Sequence, residues 1–304
     1  MKKTKIKNLT KTEKIKLVKA KFNIKNIQPV HVEDLAYRHK LYLLAIFRVL
    51  TDEKFDKILP LNNQDKIKVL SPSRDMDNNM LECLNTNKVI YVDSQSKIES
   101  FHFNNNECIG FNIEEVYWLL NMSDVNEERL NLSICFRMIY KDLTNFPPTS
   151  TEERNQAYYL TMNLALNEVE NYLQFKSNEL SYKYEVGKKT SMYVYQLLNF
   201  LSVSEIYSII DKSIDEDFLY NSRSELNTKR YGNTLAARLL EVGELANRNE
   251  TSLIKLPRNK SSPRSELSRI FYELIHHGSD EGFSECPFEY WNSTLKLYYN
   301  EDVE

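Results

Sequence analysis

Glycine is scarce in this chain: 6 among 304, about 2% against roughly 7% in ordinary globular proteins. A loop that cradles phosphate needs glycine, because a Cβ would hold the backbone away from the ligand. Gly110, Gly187, Gly232, Gly243, Gly278 and Gly282 are scattered, and no G-x-G-x-x-G turn occurs. The nearest approach to a P-loop is Gly187-Lys188-Lys189-Thr190. Lys189 stands there where the hydroxyl residue belongs, and Tyr182 where the first glycine belongs. Rossmann and P-loop nucleotide chemistry are therefore disfavoured. Hydrophobic content of 41% with 12% aromatics is enough for a packed core. The length suits two domains.

Cys83, Cys108, Cys135 and Cys286 stand far apart with no C-x-x-C. That spacing suits neither a disulfide scaffold nor a zinc site and points to thiols in a reducing cytoplasm. No metal or cofactor is expected. No apolar run approaches the ~20 residues of a membrane helix, and the N-terminus lacks the apolar stretch of a signal peptide. Abundant Lys, Asn, Ile and Tyr suggest an AT-rich genome, bacterial or phage.

Charge is unevenly placed. Residues 1–25 hold ten lysines against the single acid Glu13, a local balance of +9. With −3 overall, the remainder carries −12. A basic arm on an acidic body is a candidate for phosphate or acidic-partner contact through Lys11, Lys14, Lys16, Lys19 and Lys21. Thr10-Lys11-Thr12-Glu13 reads as a capping box opening a helix over about 11–22, with Ile15, Val18 and Phe22 on one face. The arm is placed at 1–27.

The next segment, 28–104, reads as helix, helix, helix, hairpin. His31–Leu50 is a strong helix, Thr51 caps a short second one ending at Pro60, and a third covers about 73–85. Lys88–Val92 and Lys97–Phe103 follow as strands joined through Asp93, Ser94, Gln95 and Ser96. That is the order of a winged helix-turn-helix. In that fold the third helix enters the major groove, and Arg74, Asn78 and Asn79 would read base edges. Asp75, Asp77 and Glu82 give residues 71–87 a balance of −2, the wrong sign for DNA, which favours docking on a protein instead.

Residues 105–148 are expected to form connecting helices, with a capping box at Asn112–Glu115 and a break at Phe146-Pro147-Pro148. From 149 to 304 the chain reads as an α-helical domain, with no internal repeat. A second basic segment there, Lys255, Arg258, Lys260 and Arg264, precedes Ser262-Pro263, which resembles a helix N-cap and first turn. Backbone N–H groups beside Arg258, Lys260 and Arg264 would suit a phosphate. Arg269 and His276 fit loosely the R-x(4–6)-H spacing of helical-bundle RNases. Glu273 and His277, four apart, would form an ion pair or half of a metal site.

The fold expectation is thus mainly α, with an N-terminal basic helix, a winged helix-turn-helix with a small β-hairpin, and a C-terminal helical domain. The functional expectation is a non-enzymatic bacterial or phage protein in a nucleic-acid setting: a regulator, or a subunit of a phage-defence or mobile-element complex. One alternative is a pure protein-interaction subunit, with a protein partner or homo-oligomer. The other is a helical RNase using Arg269 and His276.

Overall fold

The computed structural model describes residues 9–64, 68–104, 106–146, 148, 150–179, 186–221, 228–260, 262–295 and 298. Side chains of 215–221 and 228–234 are outside that description. The chain is mainly helical and forms two compact units, 1–70 with 74–145 and 71–73 with 146–304.

The first unit is built around α2 (Tyr37–Val49). Its Leu41, Leu43, Leu44, Ala45, Ile46 and Phe47 are all fully buried, so the helix is apolar on nearly every side and must be surrounded. It packs against α3 (Arg74–Thr86) and α4 (Leu132–Asn145). Among the described residues, three two-stranded sheets complete the unit. β1 (Val30–His31) runs parallel to β6 (Met122–Ser123), and β2 (Ile90–Val92) antiparallel to β5 (Trp118–Leu120). β3 (Phe101–Asn104) and β4 (Glu107–Phe111) form an antiparallel hairpin.

The expected order of a winged helix is not what the chain forms here. Thr51 does not cap a second helix; its hydroxyl donates to the Phe47 carbonyl at 2.6 Å and its backbone bridges Ile58. Phe55, at φ 60°, breaks any helical run through 51–58. The two expected strands do not pair with each other either. Residues 93–96 do turn, with Ser96 N–H donating to Asp93 at 3.0 Å, but the chain then leaves through a 3₁₀ turn at Ile98–Ser100. The hairpin turn falls instead at the asparagine run, where Asn106 holds φ 68°, a region asparagine tolerates. Segment 105–148, expected as connecting helices, carries β4–β6 before its one helix, α4. Asn112 does not open a helix: its side chain accepts from Glu114 N–H at 3.1 Å in a local turn.

The second unit is a bundle of α5 (Thr151–Glu179), α6 (Lys188–Leu197), α7 (Val203–Asn221) and α8 (Thr228–Asn247). Val169, Leu173, Val194, Leu197, Ile206, Ile210, Leu235 and Leu239 form its core. Tyr172 and Tyr207 stack with ring centroids 3.7 Å apart. After α8 an extended strap crosses the bundle: Leu256 N–H donates to the Ser204 carbonyl, whose own hydroxyl donates back to Leu256 at 2.6 Å. Short helices α9 (Glu266–Arg269), α10 (Glu281–Ser284) and α11 (Pro287–Tyr290) follow, with α9 and α11 each continued by a π-helical turn. The cap of α9 is Ser265, which accepts from Ser268 N–H, and not Ser262.

Candidate nucleic-acid interface

The basic arm forms α1 (Lys11–Lys21), opened by the predicted capping box: the Thr10 hydroxyl accepts from Glu13 N–H and the Glu13 carboxylate accepts from Thr10 N–H at 2.8 Å. Glu13 in the first turn, and Lys19 and Lys21 in the last, match the helix dipole. Two side chains fix the helix to the hairpin. Val18 is 1% exposed and Phe22 is 7% exposed. The Phe22 ring lies 5.5 Å from Phe101, 5.7 Å from Phe111 and 6.2 Å from Tyr91. Burying an apolar side chain of this kind contributes roughly 1.5–3 kcal/mol, which an isolated eleven-residue helix would otherwise lack. Lys21 adds a hydrogen bond to the Cys108 carbonyl at 2.6 Å, and the Lys14 ammonium sits 5.1 Å from the Phe103 ring centre. Burial pushes the Cys108 thiol above its usual range, so no thiolate competes for Lys21.

With one residue every ~100°, Lys14 and Lys21 flank the anchored face on one side, Lys19 lies on the other, and Lys16 points outward. Lys11, Lys16, Lys19, Lys21 and Lys25 are exposed, and Ile15 is exposed with them. None of the ion pairs among the described residues involves a lysine of α1. Residues 9–27 therefore present six lysines against Glu13, a balance of +5, on a helix held in place by apolar contacts. Lys11 and Lys19 are about 12 Å apart along the axis, a span of three or so phosphates on one strand.

The other predicted contact residues are placed differently. Arg74 is engaged within its own unit: it donates through Nε and Nη2 to Glu114, both at 3.0 Å, to the Leu61 carbonyl at 3.3 Å, and to Asn62. Asn78 donates to the same Glu114 carboxylate at 3.0 Å. Those bonds, with Arg74 first, hold the Glu114 carboxyl below the usual range. Asn79 and Asp75 remain exposed, while Asp77 is buried.

Arg258 and Arg264 form no open phosphate cradle. Arg258 donates to Glu168 and to Asp280, each at 2.9 Å, and its guanidinium stacks 4.4 Å over the Phe283 ring. Arg264 pairs with Glu273 and, at 3.2 Å, with Asp280. Lys260 is exposed, and Lys255 donates to the Ser284 carbonyl at 2.6 Å. Glu168 is itself 5% exposed, and burial pushes its carboxyl up to about 7 against the pull of Arg258. Sequence reasoning missed this carboxylate. The signal was present, since Glu168 falls on the inward face of α5 with Ala165 and Tyr172 at helical spacing.

The RNase alternative loses its base. Arg269 is exposed, whereas His276 is buried between Phe271 and Tyr298, with ring centroids 4.5 and 5.0 Å away. Its Nδ1–H donates to the Phe271 carbonyl at 2.6 Å, and burial lowers its pKa to about 3. Such an imidazole is neutral at physiological pH and closed off from substrate. Glu273 is taken by Arg264 rather than by His277. Among the described residues no group of three His, Cys, Asp or Glu side chains is placed to hold a metal ion, and no helix is long and apolar enough to cross a membrane. Comparison with protein-family models, curated proteins and solved structures found no match for this chain.

Proposed function

We propose that this chain is a non-catalytic protein of a bacterial or phage nucleic-acid setting, and that α1 with Lys25 contacts the phosphate backbone without reading sequence. The setting, gene regulation or a defence or mobile-element complex, rests on composition alone. The observation that carries the contact is the docking of α1: Val18 and Phe22 seat the helix while Lys11, Lys16, Lys19 and Lys25 stay in solvent without ion pairs. Lysine is a mobile point charge, which suits sequence-indifferent phosphate contact. α3 takes no part in this reading, because Arg74 already serves Glu114. The test is anisotropy binding of single- and double-stranded oligonucleotides at two salt concentrations. Lys11→Gln/Lys16→Gln/Lys19→Gln/Lys25→Gln should weaken binding at low salt and converge with the unaltered chain at high salt. Equal affinities at low salt would overturn the proposal.

A protein-interaction reading is favoured by a different observation. In the second unit Tyr159 is 61%, Met192 53%, Tyr195 41% and Phe288 41% exposed. Where exposed large apolar side chains form one contiguous patch, they mark a contact surface. Sedimentation of the purified chain distinguishes self-association through them from a monomer awaiting a partner.

A further inference from the structure

Cys83 differs from the other three cysteines of the chain. Cys108, Cys135 and Cys286 are buried, and burial pushes each of those thiols above its usual range, Cys135 to about 12. Cys83 is half-buried, on the margin of the inward stripe that Met76, Met80 and Leu84 form along α3. Its sulfur lies 3.3 Å from Nε2 of His39, an imidazole that is itself buried. A partly exposed nucleophile within hydrogen-bond reach of a base held by packing is the arrangement that activates a thiol.

The surroundings suit proton removal from this thiol. Burial first, and Arg38 second, lower the pKa of His39, so its imidazole is neutral at physiological pH. With its own proton on Nδ1, it accepts from the thiol through Nε2. His39 belongs to the first turn of α2, which carries no acid and where the backbone dipole places partial positive charge. Positive potential of that origin, like the nearby Arg38 guanidinium, favours a sulfur as thiolate. Of the other charged neighbours in sequence, Lys40 is paired with Asp142 at 2.7 Å, and Glu82 is exposed. The Asn87 amide donates to the Cys83 carbonyl at 2.7 Å and stands 3.9 Å from the sulfur, a further weak donor to it.

We propose that Cys83 is a site of reversible mixed-disulfide formation with low-molecular-weight disulfides, and that His39 is the base that takes the thiol proton. As that proton passes to Nε2, the Cys83 sulfur forms a bond to one sulfur of the incoming disulfide. The S–S bond of the incoming molecule breaks, and its second sulfur leaves with the electron pair and recovers the proton from His39. Cys83 ends oxidised, and the small disulfide ends as one free thiol and one half retained on the protein. A half-buried sulfur admits a small disulfide where it would exclude one carried on a folded protein. The pair shares no residue with α1, so it stands or falls independently of the nucleic-acid proposal.

The experiment is incubation of the folded full chain with 2-hydroxyethyl disulfide, an uncharged probe whose approach does not depend on Glu82. Intact mass follows the adduct and peptide mapping places it. A single adduct on Cys83 is expected, reversed by a reducing agent and lost in Cys83→Ser. The base is read from the pH profile of the rate. An unassisted thiol slows about tenfold per pH unit below its pKa of about 8.5, whereas the pair should slow less than about threefold per unit from about pH 7.5 to 6.5. His39→Gln should slow the reaction about tenfold or more and restore the steep profile. The profile of the unaltered chain decides the matter even where that variant does not fold. No adduct on the folded chain, an adduct on a cysteine other than Cys83, or a tenfold fall per pH unit in the unaltered chain would overturn the proposal.

Discussion

Two stretches of this chain look alike in the sequence and do opposite things in the structure. Residues 11–25 and 255–264 are both short, basic and poor in acids. In the first, lysines surround a helix that is held by Val18 and Phe22, and the charges remain in water. In the second, Arg258 and Arg264 turn inward onto Glu168, Asp280 and Glu273, and pin an extended strap to a helical bundle. Residue chemistry accounts for the difference. A guanidinium is weakly hydrated and can serve two carboxylates in a fixed plane, so it can be buried; an ammonium gives up a stronger hydration shell for a less directional pair. Local charge density does not distinguish a binding surface from an internal brace. The complementary acids, distant in sequence, do.

The sharpest way to break the comparison is to remove one charge from each stretch. Arg258→Ala takes from buried Glu168 its guanidinium partner, leaving the more distant Arg264 and the like-charged Asp280, and should cost about 3–5 kcal/mol in chemical denaturation. Restoring an apolar pair with Arg258→Met/Glu168→Leu should recover most of that loss. A cost below about 1 kcal/mol for the single change would mean the brace is no more than a surface pair.

Next in size is the seat of α1. Phe22→Ala removes the ring that touches Tyr91, Phe101 and Phe111, and should cost about 3 kcal/mol. Hydrogen exchange should then show α1 losing protection before β3 and β4 do. If phosphate binding survives with α1 undocked, the lysines act as a tether and not as an ordered surface.

Within the second unit, burial meets pH in two opposite ways. His276 is neutral when folded, with a pKa near 3 against the ordinary 6.5. Its contribution is present above pH 6.5 and lost as pH falls toward 3, at up to about 1.4 kcal/mol per pH unit. Glu168 acts with the opposite sign: its raised pKa contributes stability below the ordinary carboxylate range that is lost as pH rises through about 7. The two slopes therefore oppose each other between about pH 4.5 and 6.5. His276→Leu should flatten the acid limb of a stability–pH curve, and a limb of unchanged slope would place the acid sensitivity elsewhere.

What the sequence made legible was local. The Thr10–Glu13 capping box, the long apolar register of α5 and the basic arm are all readable within a few residues, and the structure forms each helix there. What it hid was long-range. β2 pairs with Trp118–Leu120 instead of with its neighbour, and nothing between Lys88 and Phe103 announces a partner that far along the chain. The π-helical turn at Ile270–Ile275 shifts His276 off the helical phase assumed for Arg269 and His276. Arg258 reads as surface charge until Glu168 and Asp280, ninety and twenty-two positions away, are brought to it.

The smallest effect is the one that most sharpens the contrast. Lys16 and Lys19 contribute little to folding, since neither has an ion-pair partner among the described residues to lose. Lys16→Gln or Lys19→Gln should therefore change stability by less than about 0.5 kcal/mol. Binding should respond in a way stability does not. If both lysines neutralise phosphates, removing the pair lowers the slope of log K against log salt by about 1.8 on duplex and about 1.4 on single strands. Arg258→Met/Glu168→Leu, which leaves α1 untouched, should leave that slope where it was. An altered slope in the second-unit variant, or an unaltered one in the lysine variant, would mean that the phosphate surface had been assigned to the wrong basic stretch.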